Sequence, residues 1–122
     1  MSITQEDNLS LEEVLEICKS IKEENIEVDL NPITRPKNVA FMYKYRLKRE
    51  DVRAMIRELA SEDYVEGPIE DENPNFKHPF WVFIKYINKI PVKVYIKIKI
   101  FNHKRKINVF SIHEEGEFNQ WK

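Results

Sequence analysis

This chain has little of what usually marks a catalytic or cofactor-binding protein. It holds one cysteine, Cys18, which excludes an internal disulfide and a cysteine-based zinc site and fits a reducing compartment. It has two glycines, Gly67 and Gly116, and no G-x-G-x-x-G, Walker or G-x-S-x-G arrangement. The histidines, His78, His103 and His113, are scattered rather than at ligand spacing. No apolar run approaches the roughly 20 residues that span a bilayer. The opening MSITQEDNLS has neither a basic start nor an apolar stretch, so neither a signal peptide nor membrane association is expected. The expected location is the cytoplasm.

A further absence is regional. Between positions 80 and 110 there is no acidic residue, against eight basic ones: Lys85, Lys89, Lys93, Lys97, Lys99, Lys104, Arg105 and Lys106. The remainder carries 12 basic and 21 acidic residues, so a net charge of −1 conceals a basic C-terminal segment and an acidic rest. Such a local field suits an anionic ligand such as nucleic acid. The plain alternative is lysine that solubilises exposed strand faces and edges.

What is present is a chain of 122 residues, 42% hydrophobic and 34% charged, which is one globular domain over 1–122. Residues 1–9 are expected to fray and 115–122 to form a loose tail. Ser10 and Glu13 make a capping box, and Leu11, Val14, Leu15, Cys18 and Ile21 follow at helical spacing, predicting a helix that ends near Asn25. IEVDL (26–30) alternates as a short strand. The segment 35–47 is ambiguous between helix and strand, with a helix starting just after Pro36 preferred, and 48–61 is helical. Residues 62–79, with one glycine and three prolines, read as a long connection of the kind that is functional or mobile. Strands at 80–87, 92–101 and 106–113 then form a meander. The expectation is an α+β fold: an antiparallel sheet, made of that three-stranded meander and the short N-terminal strand, with two to three helices on one face.

On KVYIKIKI (93–100), Val94, Ile96, Ile98 and Ile100 alternate with Lys93, Tyr95, Lys97 and Lys99. Successive strand side chains point to opposite faces, so one face is core and the other carries ammonium groups around a phenol. On the last strand Ser111 and His113 share one face, and Phe110 and Ile112 the other. If Phe110 and Ile112 join Ile96 and Ile98 in the core, His113 lands beside Tyr95; a one-residue slip reverses this. On the first strand both alternating sets are largely apolar, so cover on both sides is expected.

A histidine, a tyrosine and lysines on one surface can cut RNA without a metal or cofactor. A base takes the 2′-hydroxyl proton, cations stabilise the phosphorane, and an acid protonates the leaving oxygen. His113, the residue type that titrates nearest neutrality, is the acid or base. Tyr95 holds the phosphate, assists proton transfer or stacks on a base, and Lys97 and Lys99 bind phosphate. Each also has an ordinary reading as a surface histidine, a strand-favouring tyrosine and solvent-facing lysines. Glu70, Asp71 and Glu72 could hold a cation, but a solvated acidic loop is the expectation.

EDYVEGP (62–68), WVF-x-K (81–85), VYIKIKI (94–100) and a final strand ending in SIH (111–113), preceded by RPKN (35–38) and a helix ending at Leu59, together resemble the MqsR-like toxins of bacterial toxin–antitoxin systems. The resemblance spans most of residues 10–115. It implies a RelE-like α+β endoribonuclease that cleaves mRNA, free or on the ribosome, without a metal, and is held inactive by a cognate antitoxin. Tyr95 and His113 match the family's functional tyrosine and terminal basic residue, with Lys97 beside them. RNA contacts are expected at Lys85, Lys93, Lys99, Tyr64 and Glu66. The chain departs from the pattern at Glu66, where a lysine is usual, at Val82, a polar position, and at Ile84, often glycine; these departures bear on cleavage specificity. Two other readings stand beside this one. The first is a non-catalytic RNA- or ribosome-binding module of the same fold, favoured by Glu66 and Val82. The second is a protein-interaction domain whose acidic helix and basic sheet each meet a partner.

Overall fold

Ser10 opens α1 (Leu11–Ser20) with the reciprocal bonds its spacing from Glu13 implies. The Ser10 hydroxyl accepts from the Glu13 N–H at 3.2 Å, and the Glu13 carboxylate accepts from the Ser10 N–H at 2.9 Å. The structure is a computed structural model that describes residues 9–87, 89–101 and 105–116. Residues 1–8 of the segment 1–9 expected to fray, His103, and residues 117–122 of the tail lie outside the described residues. α1 stops before the expected Asn25, because Ile21 turns to extended backbone and buries its side chain. A single 3₁₀ turn (Glu23–Asn25) then leads into β1 (Ile26–Val28).

α2 (Pro36–Lys44) begins at its proline, where a missing N–H costs nothing. α3 (Arg49–Arg57) starts with the Asp51 carboxylate accepting from the Lys48 N–H at 2.8 Å. It ends short of Ser61; Leu59 beyond it is fully buried, and a second 3₁₀ turn (Ser61–Asp63) follows. The next stretch corrects the expectation of a loop over 62–79. Residues Tyr64–Ile69 form β2, an edge strand paired with β3 (Phe80–Tyr86), and only 70–79 connects the two. Gly67-Pro68 breaks the alternation that marks a strand, but an edge position tolerates proline. Gly67 is required there: φ is 145°, and a Cβ would meet Trp81 Cε3 at 2.8 Å.

β4 (Lys93–Phe101) and β5 (Lys106–Glu114) complete a five-stranded sheet in the order β1-β5-β4-β3-β2. The fold is α+β, as expected. The sheet is mostly rather than wholly antiparallel, since β1 runs parallel to β5, with Val28 opposite Val109. All three helices feed one apolar cluster on one face of the sheet. Val14, Cys18, Phe41, Met42, Val52 and Ile56 meet the inward side chains of Trp81, Phe83, Ile96, Ile98, Ile107 and Ile112 there. Among the described residues no helix is long and apolar enough to cross a membrane.

β5 differs from the simple alternation in one place. Tyr95 pairs with His113, Ile96 with Ile112 and Lys97 with Ser111, but Ile98 then pairs with Val109, leaving Phe110 as the extra residue of a bulge. Phe110 therefore does not join Ile112 in the core, as the alternation implied. It lies on the other face, edge-on to Phe80 at 5.2 Å between ring centres. Asn38, buried in α2, holds this irregularity. Its amide donates to the Phe110 carbonyl and to the Asp29 carbonyl, and its Oδ1 accepts from the Ile112 N–H, each at 2.9 Å. One side chain thus satisfies three backbone groups where β1 runs out beside β5.

Candidate active site

The sheet face away from the helices carries its side chains in rows set by register. Ile84, Tyr95 and His113 form one row; Glu66, Val82, Lys97 and Ser111 form the next; Ile69, Phe80, Lys99 and Asn108 form a third. Beyond the first row, Tyr86 and Lys93 are exposed. Tyr95 and His113 stack with ring centres 4.8 Å apart and planes 13° from parallel. With Ile84, Lys97, Ser111, Glu115 and Gly116 they line a cleft of about 400 Å³. The bulge makes this possible: it lets Ile107 and Val109 fill the core while Ser111 and His113 still face the cleft.

His113 is 6% exposed, and its Nδ1 lies 2.9 Å from the Glu114 carbonyl oxygen. A carbonyl only accepts, so in the neutral ring Nδ1 carries the proton and Nε2 keeps the lone pair. Glu114 is itself fixed from α2, since Lys44 pairs with it at 2.7 Å and the Tyr45 hydroxyl donates to the same oxygen. Burial first, and the charge of Glu66 second, push the Tyr95 phenol above its ordinary value. Tyr95 is therefore a protonated donor near neutrality, not a phenolate. Lys97 stands with its Nζ 4.2 Å from the centre of the Phe80 ring and has no ion-pair partner among the described residues.

The other expected contacts are distributed less simply. Lys93 is exposed next to the cleft. Glu66 shares the open face, in register with Val82. Tyr64 lies opposite Phe83, on the helix side of the edge; it packs on the Trp81 and Phe83 rings at 6.3 Å each and donates its hydroxyl to the Gly67 carbonyl. Lys85 also belongs to the helix side, paired with Val94 and bonded to Asp63 at 3.3 Å and to the Glu58 carbonyl at 3.1 Å. Neither Tyr64 nor Lys85 reaches the face that holds Tyr95, so the structure separates them from the other expected RNA contacts.

Lys99 is on the open face but only 3% exposed. Asp71 pairs with it at 2.7 Å, and the rings of Phe80, Phe76 and Phe110 lie 4.5, 5.3 and 5.4 Å from its Nζ. Its charge is matched within the protein, whereas the alternation alone places it on a face open to phosphate. The acidic run at 70–72 is correspondingly not merely solvated, because Asp71 closes over the sheet. Among the described residues no cluster of His, Cys, Asp or Glu has the arrangement of a metal site. Burial pushes the Cys18 thiol up to about 12, which leaves it inert as a nucleophile.

A larger cleft, about 1010 Å³, lies between α2 and α3 and is lined by Lys44, Arg46, Lys48, Arg49 and Arg53. It gathers cations but no histidine, so the smaller cleft at His113 is the better candidate for chemistry. Two residues that shape that cleft carry no clear signal in the sequence: Asn38, a polar residue inside a helical segment, and Phe110, which the alternation places in the core only if the register holds. Compared with protein-family models, curated proteins and solved structures, the chain finds no match. The class that fold and site define is thus an α+β domain with a basic, aromatic sheet face and a histidine–tyrosine cleft.

Proposed function

We propose that the protein is an endoribonuclease that cuts mRNA by attack of the substrate's own 2′-hydroxyl, without metal or cofactor. We further propose that it is a cytoplasmic, RelE-like toxin of the MqsR type, restrained by a cognate antitoxin. The observation that carries the chemical reading is the stacking of His113 on Tyr95, with Lys97 and Ser111 across the same cleft.

In this mechanism His113 Nε2 takes the proton of the 2′-hydroxyl as its oxygen attacks phosphorus. Lys97 faces the charge that develops on the phosphorane oxygens, and Ser111 adds a hydroxyl donor opposite it. The bond from phosphorus to the 5′-oxygen breaks, and the Tyr95 phenol gives that oxygen its proton. The products are a 2′,3′-cyclic phosphate and a 5′-hydroxyl. The imidazolium then returns its proton, by way of solvent, to the tyrosine, so no net proton is gained or lost. Stacking keeps the two rings together at one cleft, so that base and acid serve the same phosphate.

A non-catalytic RNA-binding module is the second reading. Glu66 favours it, because a carboxylate on the cleft's margin repels phosphate and is the second cause of the raised Tyr95 value. One experiment separates the two. Purified protein, free of any antitoxin, is incubated with mRNA in EDTA, and the products are probed for a cyclic phosphate end. Fragments with that end are expected; RNA that is bound but intact would leave only the binding module.

A further inference from the structure

Along β4 from the candidate active site lies a second cavity, of about 490 Å³, bounded by Asn75, Phe76, Lys77, His78, Lys99, Phe101 and Phe110. Its walls are mainly aromatic. His78 and Phe101 lie 4.4 Å apart, Phe76 is 58% exposed, and Phe110 is held on this face by the bulge. Asn75 and Lys77 are exposed among its lining residues and can offer hydrogen-bonding groups. Catalysis as described above uses none of these side chains.

The charge at this place decides what the cavity suits. Lys99 is already matched by Asp71 at 2.7 Å, so a phosphate here would meet a carboxylate together with the ammonium. A neutral, flat, aromatic group meets no such penalty and gains ring contacts. The place along β4 points the same way. Lys99, a wall of the cavity, is two residues, roughly 7 Å, from Lys97. A single strand with a phosphate at Lys97 can turn the adjoining base onto these rings. Single-stranded RNA is read in that way, by splayed bases on aromatic side chains.

We infer that the cavity is a nucleobase subsite, which takes the base of the nucleotide adjoining a phosphate held at Lys97. The inference rests on the reading of the neighbouring cleft as an RNA site, and it adds that Phe76 and Phe101 contact a base and shape which sequences are cut.

The test uses seven-nucleotide 2′-O-methyl homopolymers of U, A and C, which cannot be cleaved by 2′-hydroxyl attack, with affinity read by fluorescence anisotropy. Phe76→Ala weakens binding of the best homopolymer about tenfold. Replacing one nucleotide of that homopolymer by an abasic one, at successive positions, produces the same loss in the native protein at one position and no further loss in the variant. A Phe76→Tyr variant, which keeps a ring there, retains native affinity. If Phe76→Ala binds every homopolymer as tightly as the native protein, or if the abasic loss persists undiminished in the variant, the subsite is refuted. The outcomes separate from those of the cleft. Binding that depends on Phe76 with no cleavage of natural RNA sinks the nuclease and spares the subsite. Cleavage whose site preference is indifferent to Phe76→Ala does the reverse, and no RNA binding at all removes both.

Discussion

Lys97 and Lys99 stand two residues apart on one strand and face the same side of the sheet, yet they occupy different chemical regions. Lys97 sits above Phe80 at the edge of an open cleft that holds a histidine and a protonated phenol. Lys99 is buried under aromatic rings and clasped by a carboxylate from the loop at 70–79. The difference shows that a stripe of like charges is not a uniform field once one of its members is paired. At one end an ammonium without an ion-pair partner among the described residues stands beside an open cleft; at the other the charge is matched and the surroundings are apolar. Lys85 makes the same point on the other side of the sheet, where Asp63 answers it.

The largest effects are expected at the open end. His113→Ala should lower the cleavage rate by about a hundred- to ten-thousandfold, the usual contribution of a positioned acid or base. Tyr95→Phe should keep the stack but remove the proton donor, and should fall within the same range. Lys97→Met should cost about a hundredfold in rate, as loss of one charge-stabilising donor does. Single-turnover cleavage of a defined oligonucleotide measures all three. If Lys97→Met and Lys99→Met reduced the rate equally, the contrast between the two ends would collapse.

Asn38→Ala comes next, and it tests how the open end is held. Removing the amide leaves two carbonyls and one N–H without their partner beside β5. The expected loss is about 2–4 kcal/mol of stability, read from the urea midpoint at unchanged slope. Cleavage should fall as well, because the bulge that aims Ser111 and His113 at the cleft loses its support. A variant as stable as the native chain would mean that solvent replaces the amide without cost.

How much of this was legible beforehand varies residue by residue. The alternation in KVYIKIKI fixed which side of β4 is core, and Ile112 carried His113 to the side of Tyr95 as expected. The side of Lys85 was not readable, because both alternating sets of that strand are apolar and only the structure puts its partners in parity, Trp81 and Phe83, in the core. Nor was the bulge, because the adjacent apolar pair Val109 and Phe110 fits either face until a partner strand and Asn38 choose between them. β2 escaped notice since Gly67-Pro68 interrupts any alternation. The burial of Lys99 was out of reach altogether, because it depends on where a loop of no regular pattern places Asp71.

The smallest effect concerns that clasp, and its sign follows from the carboxyl. Lys99 first, and the Asn73 N–H second, hold Asp71 below its ordinary value of 3.8. A group whose value is depressed on folding stabilises the fold fully above its unfolded value, and loses that contribution as pH falls through the folded one. The clasp should therefore be intact at neutral pH and should open only below about pH 3.8, where the unfolded chain already binds the proton. Asp71→Asn produces the neutral side chain at pH 7 and releases the Lys99 charge to the face. Salt dependence of RNA binding should then steepen by about one unit in the slope of log affinity against log salt, the signature of one added phosphate contact. An unchanged slope would show that Lys99 stays screened by its rings even without the carboxylate, so that burial rather than pairing is what divides the two ends.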